Sequence, residues 1–383
     1  MEVATVDLFA GAGGLSVGAT SAGADVRLLI ENDPTACDTL RANPDSHNQA
    51  LVLEADVETV SGQQLRELCD ITSEDSLLIV GGAPCQPFSK AAYWTDPGVD
   101  ARFRRARSEG RSAPKPEPIL VARPDSRRTL VDEYWRLVVE SEADAFLFEN
   151  VPSILHPRNR RVIESLQARA KRSGYQTILL KANAAEYGVP QMRQRVFLLG
   201  SRAGTPIAPK ATHYLGDDDQ AGRLPAMTTG EALAAFAAEE FAEPEEVVTG
   251  RWASELTEIP PGWNYKYLTD WAGHSRPTFV AETRFWNFLL KLSPERPSWT
   301  IAASPGPWTG PFHWENRRLR TIELAALQGF PEGYVWLGNR RERVRQVGNA
   351  VPPPLARPMV EALLNTFEKS PEVSDADRVQ CLV

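Results

Sequence analysis

The chain has 383 residues, 42% hydrophobic and 24% charged, with a formal net charge of -8. A length of this order exceeds what one core fills and predicts two domains. The ordinary polarity excludes wholesale disorder, and the negative balance excludes a protein that coats nucleic acid without selectivity. No apolar run approaches the ~20 residues that span a bilayer, and Val3-Ala4-Thr5-Val6 follows no basic leader, so a cytoplasmic location is expected. The four cysteines, Cys37, Cys69, Cys85 and Cys381, show neither C-x-x-C pairing nor a histidine at metal spacing. Neither a metal site nor a disulfide framework is therefore expected.

Val3–Phe9 predicts a first strand that runs into Gly11-Ala12-Gly13-Gly14. Glycines at a strand-to-helix turn let backbone approach a ligand closely. A tight turn that binds nothing is the plainer alternative. Val26–Ile30 predicts a second strand and ends at Glu31, an acid about 20 residues past the turn and suited to ribose hydroxyls. Ser16 stands where a dinucleotide fingerprint requires its third glycine, which favours an adenosyl ligand without a pyrophosphate. Leu51–Leu53 leads to Asp56, a candidate acceptor for an adenine amino group.

Leu77–Val80 predicts a further strand, followed by Gly81-Gly82 and Pro84-Cys85-Gln86-Pro87. Open α/β sheets bind ligands at the carboxyl ends of their strands, so a thiol held between prolines there is a candidate nucleophile. A buried structural cysteine is the alternative. Residues 91–124, rich in Arg, Pro, Gly and Ser, read as a long mobile loop, and 90–128 carries ten basic residues against five acids. Leu130–Val139 has helical period, and Ala145–Phe148 is a strand ending in Glu149-Asn150-Val151. A carboxylate at that position is partly desolvated and able to share a proton with a substrate, while Asn150 could instead cap a helix.

Thr177–Leu180 and Val196–Leu199 are strands close enough to pair near a sheet edge. Between them, Gln191-x-Arg193-x-Arg195 puts two guanidiniums on one strand face, a pattern that suits an anionic or carbonyl-rich ligand. The alternation of strands and helices predicts an α/β fold, a Rossmann-like, doubly wound, mostly parallel sheet, with a second, smaller irregular domain. From about 201 Gly, Pro and acidic residues rise, and Trp252, Trp263, Trp271, Trp286 and Trp299 are scattered through. These tryptophans read as core packing. Ile322–Phe330 and Leu355–Phe367 regain helical period, the latter entered through Pro352-Pro353-Pro354, and the tail from about 369 reads as disordered.

Together, Asp7-Leu8-Phe9-Ala10-Gly11-Ala12-Gly13-Gly14, Pro84-Cys85-Gln86-Pro87-Phe88-Ser89, Glu149-Asn150-Val151, Gln191-x-Arg193-x-Arg195 and Gly348-Asn349-Ala350-Val351-Pro352-Pro353 resemble, in order, the motifs of the DNA cytosine-5 methyltransferases. Leu327-Gln328-Gly329-Phe330-Pro331 is similar to the same family's penultimate motif. The resemblance implies S-adenosyl-L-methionine as cofactor, held by Phe9, Gly11, Ala12, Gly13, Gly14, Glu31, Asp56, Pro84 and Asn349. It implies Cys85 as the nucleophile at carbon 6 of a flipped-out cytosine, Glu149 on N3 and the exocyclic amine, and Arg195 on the base carbonyl with Arg193 in support.

It further implies a catalytic domain of 1–200 with 316–383, a target-recognition domain at 201–315, and a mobile catalytic loop at 90–128 that closes on DNA. Arg251, Lys266, Arg276 and Arg284 are the expected DNA contacts of the small domain. The implied partners are double-stranded DNA and a cognate restriction endonuclease or defence-system protein, with location at the nucleoid. RNA methylation on the same scaffold, a catalytically idle DNA-binding regulator and a nicotinamide oxidoreductase are the competing readings.

Overall fold

A computed structural model describes residues 3–72, 74–84, 88, 97–117, 125–216 and 222–368. Its centre is a seven-stranded sheet of β1 (Ala4–Leu8), β2 (Asp25–Glu31), β3 (Leu51–Glu54), β4 (Leu77–Gly81), β5 (Ala145–Asn150), β6 (Gln176–Asn183) and β8 (Gln194–Ser201). The short β7 (Gln191–Met192) precedes β8. The order is β3-β2-β1-β4-β5-β8-β6. The first five strands are parallel, and β8 runs antiparallel to both β5 and β6. The expected edge pair thus exists as β6 with β8.

Strand alternation divides the apolar residues between two cores. Leu77, Ile79, Phe146, Phe148, Val196 and Leu198 face Leu65, Tyr134, Leu137, Ile163 and Leu166 from the helices Gly62–Leu68, Leu130–Glu140 and Arg160–Arg172. On the opposite face, Leu78, Val80, Leu147, Phe197 and Leu199 meet Leu15, Ala19, Leu40, Leu355 and Met359 from the helices Gly14–Ser21, Pro34–Arg41 and Pro353–Leu364. Because both faces are covered, β1, β4 and β5 are buried along their whole length.

The helix Pro353–Leu364 therefore completes a core that the first residues begin. The approach is very close: a Cβ on Gly14 would lie 2.1 Å from the Val351 carbonyl oxygen, and one on Gly18 2.5 Å from Ala356 Cβ.

The 201–315 stretch is built differently. Its strands are two residues long, and its centre is an aromatic and aliphatic cluster of Leu256, Ile259, Tyr265, Leu268, Phe279, Leu289 and Phe312. Two of its acids tie it to the catalytic part of the chain. Glu246 pairs with Arg320 at 2.5 Å and Glu243 with Arg340, both arginines lying in the segment that returns to the sheet. Of the tryptophans, Trp252 packs against this cluster, but Trp263, Trp271, Trp286 and Trp299 are exposed, which overturns their reading as core.

The arginine-rich insertion is also more ordered than expected, since Pro97–Ser108 forms a helix. Its basic residues and Asp100 leave little apolar period for a sequence reading to find. Its Arg104 guanidinium lies 3.8 Å above the Phe285 ring, and Arg107 bonds Glu282 at 3.3 Å. Most of the remaining loop and the tail from 369 lie outside the described residues. Among those described, no helix is long and apolar enough to cross a membrane.

Candidate active site

The carboxyl ends of β1, β2, β4 and β5 open on one cavity of about 640 Å³. It is lined by Phe9, Gly11, Ala12, Gly14, Glu31, Asp56, Pro84, Glu149, Arg195 and Asn349. Gly13 lies beneath the turn, where a Cβ would meet the His47 ring at 2.3 Å. Phe9 holds a left-handed backbone, φ 59°, unusual for a residue with a Cβ and costly enough to mark a functional turn. Gly11, φ 57°, has open space where a Cβ would stand.

Glu31 ties this turn to the second strand. Its Oε2 accepts the Gly11 N–H at 2.8 Å, and its Oε1 accepts those of Asn32 and Asp33 at 3.0 and 2.8 Å. A carboxylate offers about four lone-pair sites, so one remains for a hydroxyl donor. Asp56 caps the turn Val57–Thr59 through Glu58 N–H and stays exposed to the cavity. The wall therefore presents an aromatic ring, a glycine cradle and two carboxylate acceptors, an arrangement that fits an adenosyl cofactor.

Asp7 and His47 brace the turn from below. Asp7 accepts the Ser16 N–H at 3.1 Å, and burial pushes its carboxyl up to about 8. His47 bridges Ser16 Oγ at 3.0 Å and Tyr334 Oη at 2.9 Å, and Tyr334 donates to the Ala12 carbonyl at 2.8 Å. Burial drives the His47 imidazole down to about 4, which keeps it neutral in this chain. No local pattern announces the brace, because Tyr334 arrives from 287 residues away.

At the other end of the cavity Glu149 and Arg195 meet. They occupy adjacent antiparallel strands, β5 and β8, and Arg195 Nε bonds Glu149 Oε1 at 2.7 Å with both side chains about 10% exposed. Burial raises the Glu149 carboxyl above its ordinary range, against the pull of Arg195 and then Arg193. A Cβ on Gly82 would stand 2.7 Å from Glu149 Oε2, so the bare glycine leaves room for the carboxylate. Asn150 caps no helix. It ends β5 and donates from Nδ2 to the Ala83 carbonyl at 3.1 Å, fixing the chain just before Pro84.

On the far side, Phe88 is buried in the core and its carbonyl accepts from Ser153 Oγ. Cys85 lies outside the described residues, but the chain is anchored on both sides of it and Pro84 is part of the cavity wall.

Arg193 departs from the expected geometry. The strand breaks at this residue between β7 and β8, and its fully buried guanidinium donates to the carbonyls of Gly348 at 2.8 Å, Ala350 at 3.0 Å and Ile301 at 3.4 Å. The carbonyl-rich partner is thus the protein's own main chain, and Arg193 acts on Glu149 through its charge. Gln191 and Gln328 complete this hub: Gln191 Nε2 donates to Gln328 Oε1 at 2.8 Å, and Gln328 Nε2 to the Val347 carbonyl at 2.6 Å. Arg345 lines the cofactor cavity and pairs with Asp33 at 2.6 Å, a contact that sequence reasoning missed.

A sheet of this order, with a nucleotide-type cavity beside a buried carboxylate–guanidinium pair, defines an α/β methyltransferase. The chain belongs to the C-5 cytosine-specific DNA methylase family, whose model matches residues 3–102 and 121–365, and it is a DNA cytosine-5 methyltransferase. It is 36% identical to the type II methyltransferase M.SacI of Streptomyces achromogenes, across 95% of this chain and 93% of that one. It is 30% identical to M1.HphI of Haemophilus parahaemolyticus, across 96% and 89%. Among solved structures, the Entamoeba histolytica methyltransferase EhMeth superposes with a TM-score of 0.57 at 12% identity, covering 96% of this chain and all of that one. That likeness is one of fold. Membership of this family sets aside the nicotinamide reading.

Proposed function

We propose that this enzyme methylates a cytosine that has left the duplex, through a covalent bond between Cys85 and carbon 6, as the methyltransferase of a restriction–modification system. The buried Glu149–Arg195 pair at the rim of an adenosyl-type cavity carries the reading. Carbon 6 of a stacked base is out of reach, so the base must be extruded at a cost of a few kcal/mol. Once inside, it would compete for both members of the pair: protonated Glu149 donates to N3, and Arg195 donates to the carbonyl. Both contacts draw electrons from the ring and favour thiolate attack at carbon 6. The addition leaves carbon 5 nucleophilic; once that carbon carries the methyl group, loss of its proton with expulsion of the thiolate from carbon 6 restores the aromatic ring.

S-adenosyl-L-methionine, held by Phe9, the Gly11–Gly14 turn, Glu31, Asp56 and Asn349, would supply an electrophilic methyl group. Pro84 would carry the nucleophile beside it. Residues 201–315 would read the sequence, with Arg251, Lys266, Arg276 and Arg284 facing DNA, and the 90–128 insertion would bring its arginines to phosphates. The type II names of the relatives support a cognate restriction endonuclease as functional partner and a cytoplasmic, nucleoid-associated location.

The test is methylation mapping by bisulfite sequencing of DNA from cells that express the chain. Wild type should protect one short sequence, while Cys85→Ser should protect none and still bind the cofactor. Protection by Cys85→Ser would exclude the mechanism.

A further inference from the structure

Three aromatic side chains of the 201–315 stretch are exposed: Phe285 at 65%, Trp286 at 51% and Trp299 at 43%. Trp286 and Trp299 meet edge to face, with centroids 5.2 Å apart. Both belong to the irregular region, but Trp299 sits on its short strand Ser298–Trp299, paired in parallel with β7 and opposite Met192. Ser298 is buried and Trp299 points outward, as strand alternation requires. Ser298 N–H donates to the Pro190 carbonyl at 2.8 Å and Thr300 Oγ to that of Met192 at 2.7 Å, so the indole is fixed three residues before Arg195 in the register of the partner strand.

An aromatic pair left in water, with Phe285 exposed next in the chain to Trp286, marks a binding surface. Two arginines stand at its edge, with Glu282 and Asp100 as their acidic neighbours. Arg284 is exposed next to Phe285, and Arg104 lies over the Phe285 ring. Exposed rings for stacking, with guanidiniums placed for phosphates, form the combination that holds unpaired nucleic acid. Trp299 stands opposite Met192, three residues before Arg195 in the chain, which puts this face where a duplex opened for base flipping would expose unstacked bases.

We infer that Trp286 and Trp299 form a stacking platform for a nucleobase next to the target cytosine. The platform offsets part of the stacking lost when the duplex opens. This inference rests on the base-flipping reading given above. It assigns to two tryptophans a role distinct from the chemistry of Cys85, Glu149 and Arg195.

The test uses the full chain and two forms of its cognate duplex, one fully paired and one with the target cytosine opposite an abasic site, where unpairing costs little. Trp299→Ala and Trp286→Ala should each lower kcat/KM on the paired duplex roughly 5- to 100-fold, the range expected for one lost base–aromatic stack. The loss should shrink to a fewfold on the abasic duplex, and Trp299→Phe should recover most of the activity. Wild-type tryptophan fluorescence should be quenched on DNA binding, less so in the variants. Equal losses on both duplexes would indicate a merely structural role and overturn the platform, as would no loss on either. Dimers that dissociate on Trp→Ala substitution, with unchanged DNA kinetics, would overturn it as well. Wild-type enzyme that methylates neither duplex would overturn the underlying reading instead.

Discussion

The sheet-centred part of the molecule and the 201–315 region hold their functional groups by different means. At the sheet, Glu149 and Arg195 end neighbouring strands whose register leaves few positions for either, and their charges meet in a nearly dry site. In the irregular region, side chains hang from short turns tied together by main-chain bonds, an aromatic cluster and pairs such as Glu246–Arg320. The first arrangement suits chemistry, which tolerates little displacement of the reacting groups. The second would suit the DNA-reading surface proposed for it, because loops change without disturbing the scaffold beneath.

The sharpest way to probe the sheet side is Glu149→Gln. The amide keeps the shape but not the titrating carboxyl, and kcat should fall about 10²- to 10⁴-fold with cofactor affinity retained. Initial rates alongside isothermal titration would measure both. Arg193→Met should act on folding instead: it removes the guanidinium from the carbonyls of Ile301, Gly348 and Ala350, of which Ala350 keeps Gln328 Nε2 at 3.1 Å, and should cost about 3 kcal/mol in chemical denaturation. A fully stable Arg193→Met protein would deny the hub its role.

Leu256→Ala tests the other side of the comparison. Leu256 is wholly buried in the small cluster, and its truncation should cost about 2–4 kcal/mol. If the regions are as separable as their construction suggests, DNA affinity should drop while cofactor affinity stays within twofold. Equal loss of both would show a single cooperative unit.

The smallest expected effect concerns pH. Asp7 titrates in the folded chain at about 8, above its ordinary 3.8, so the folded state holds an extra proton between those values and loses stability as pH rises toward 8. His47 works the other way: its folded value of about 4 lies below its ordinary 6.5, so stability grows as pH rises through that interval. Above about 6.5 only the Asp7 contribution of these two remains. Asp7→Asn should therefore flatten the decline between pH 6.5 and 8 in thermal melts, and an unchanged slope would refute the protonated Asp7.

What the sequence made legible follows the same division. The strands, the cavity-lining residues and the Glu149–Arg195 neighbourhood could be read because apolar runs and strand-end motifs are local signals. The hub of Gln191, Arg193 and Gln328 was misread at Arg193, since a guanidinium that seeks carbonyls looks the same whether they belong to a ligand or to residues 348–350. The His47–Tyr334 brace joins positions 287 apart and has no local trace. The tryptophans misled because exposure depends on which loop a ring hangs from, and only Trp252 of the five joins the cluster.

The central claim is a covalent bond from Cys85 to the target base, and a duplex carrying 5-fluorocytosine at the methylated position tests it most directly. Fluorine at carbon 5 cannot leave as a proton does, so the adduct should persist. Incubation with S-adenosyl-L-methionine should give a denaturation-resistant protein–DNA complex whose peptide mass maps to Cys85, with none formed by Cys85→Ser. A wild-type preparation that methylates ordinary cytosine and yet forms no such adduct would contradict the account.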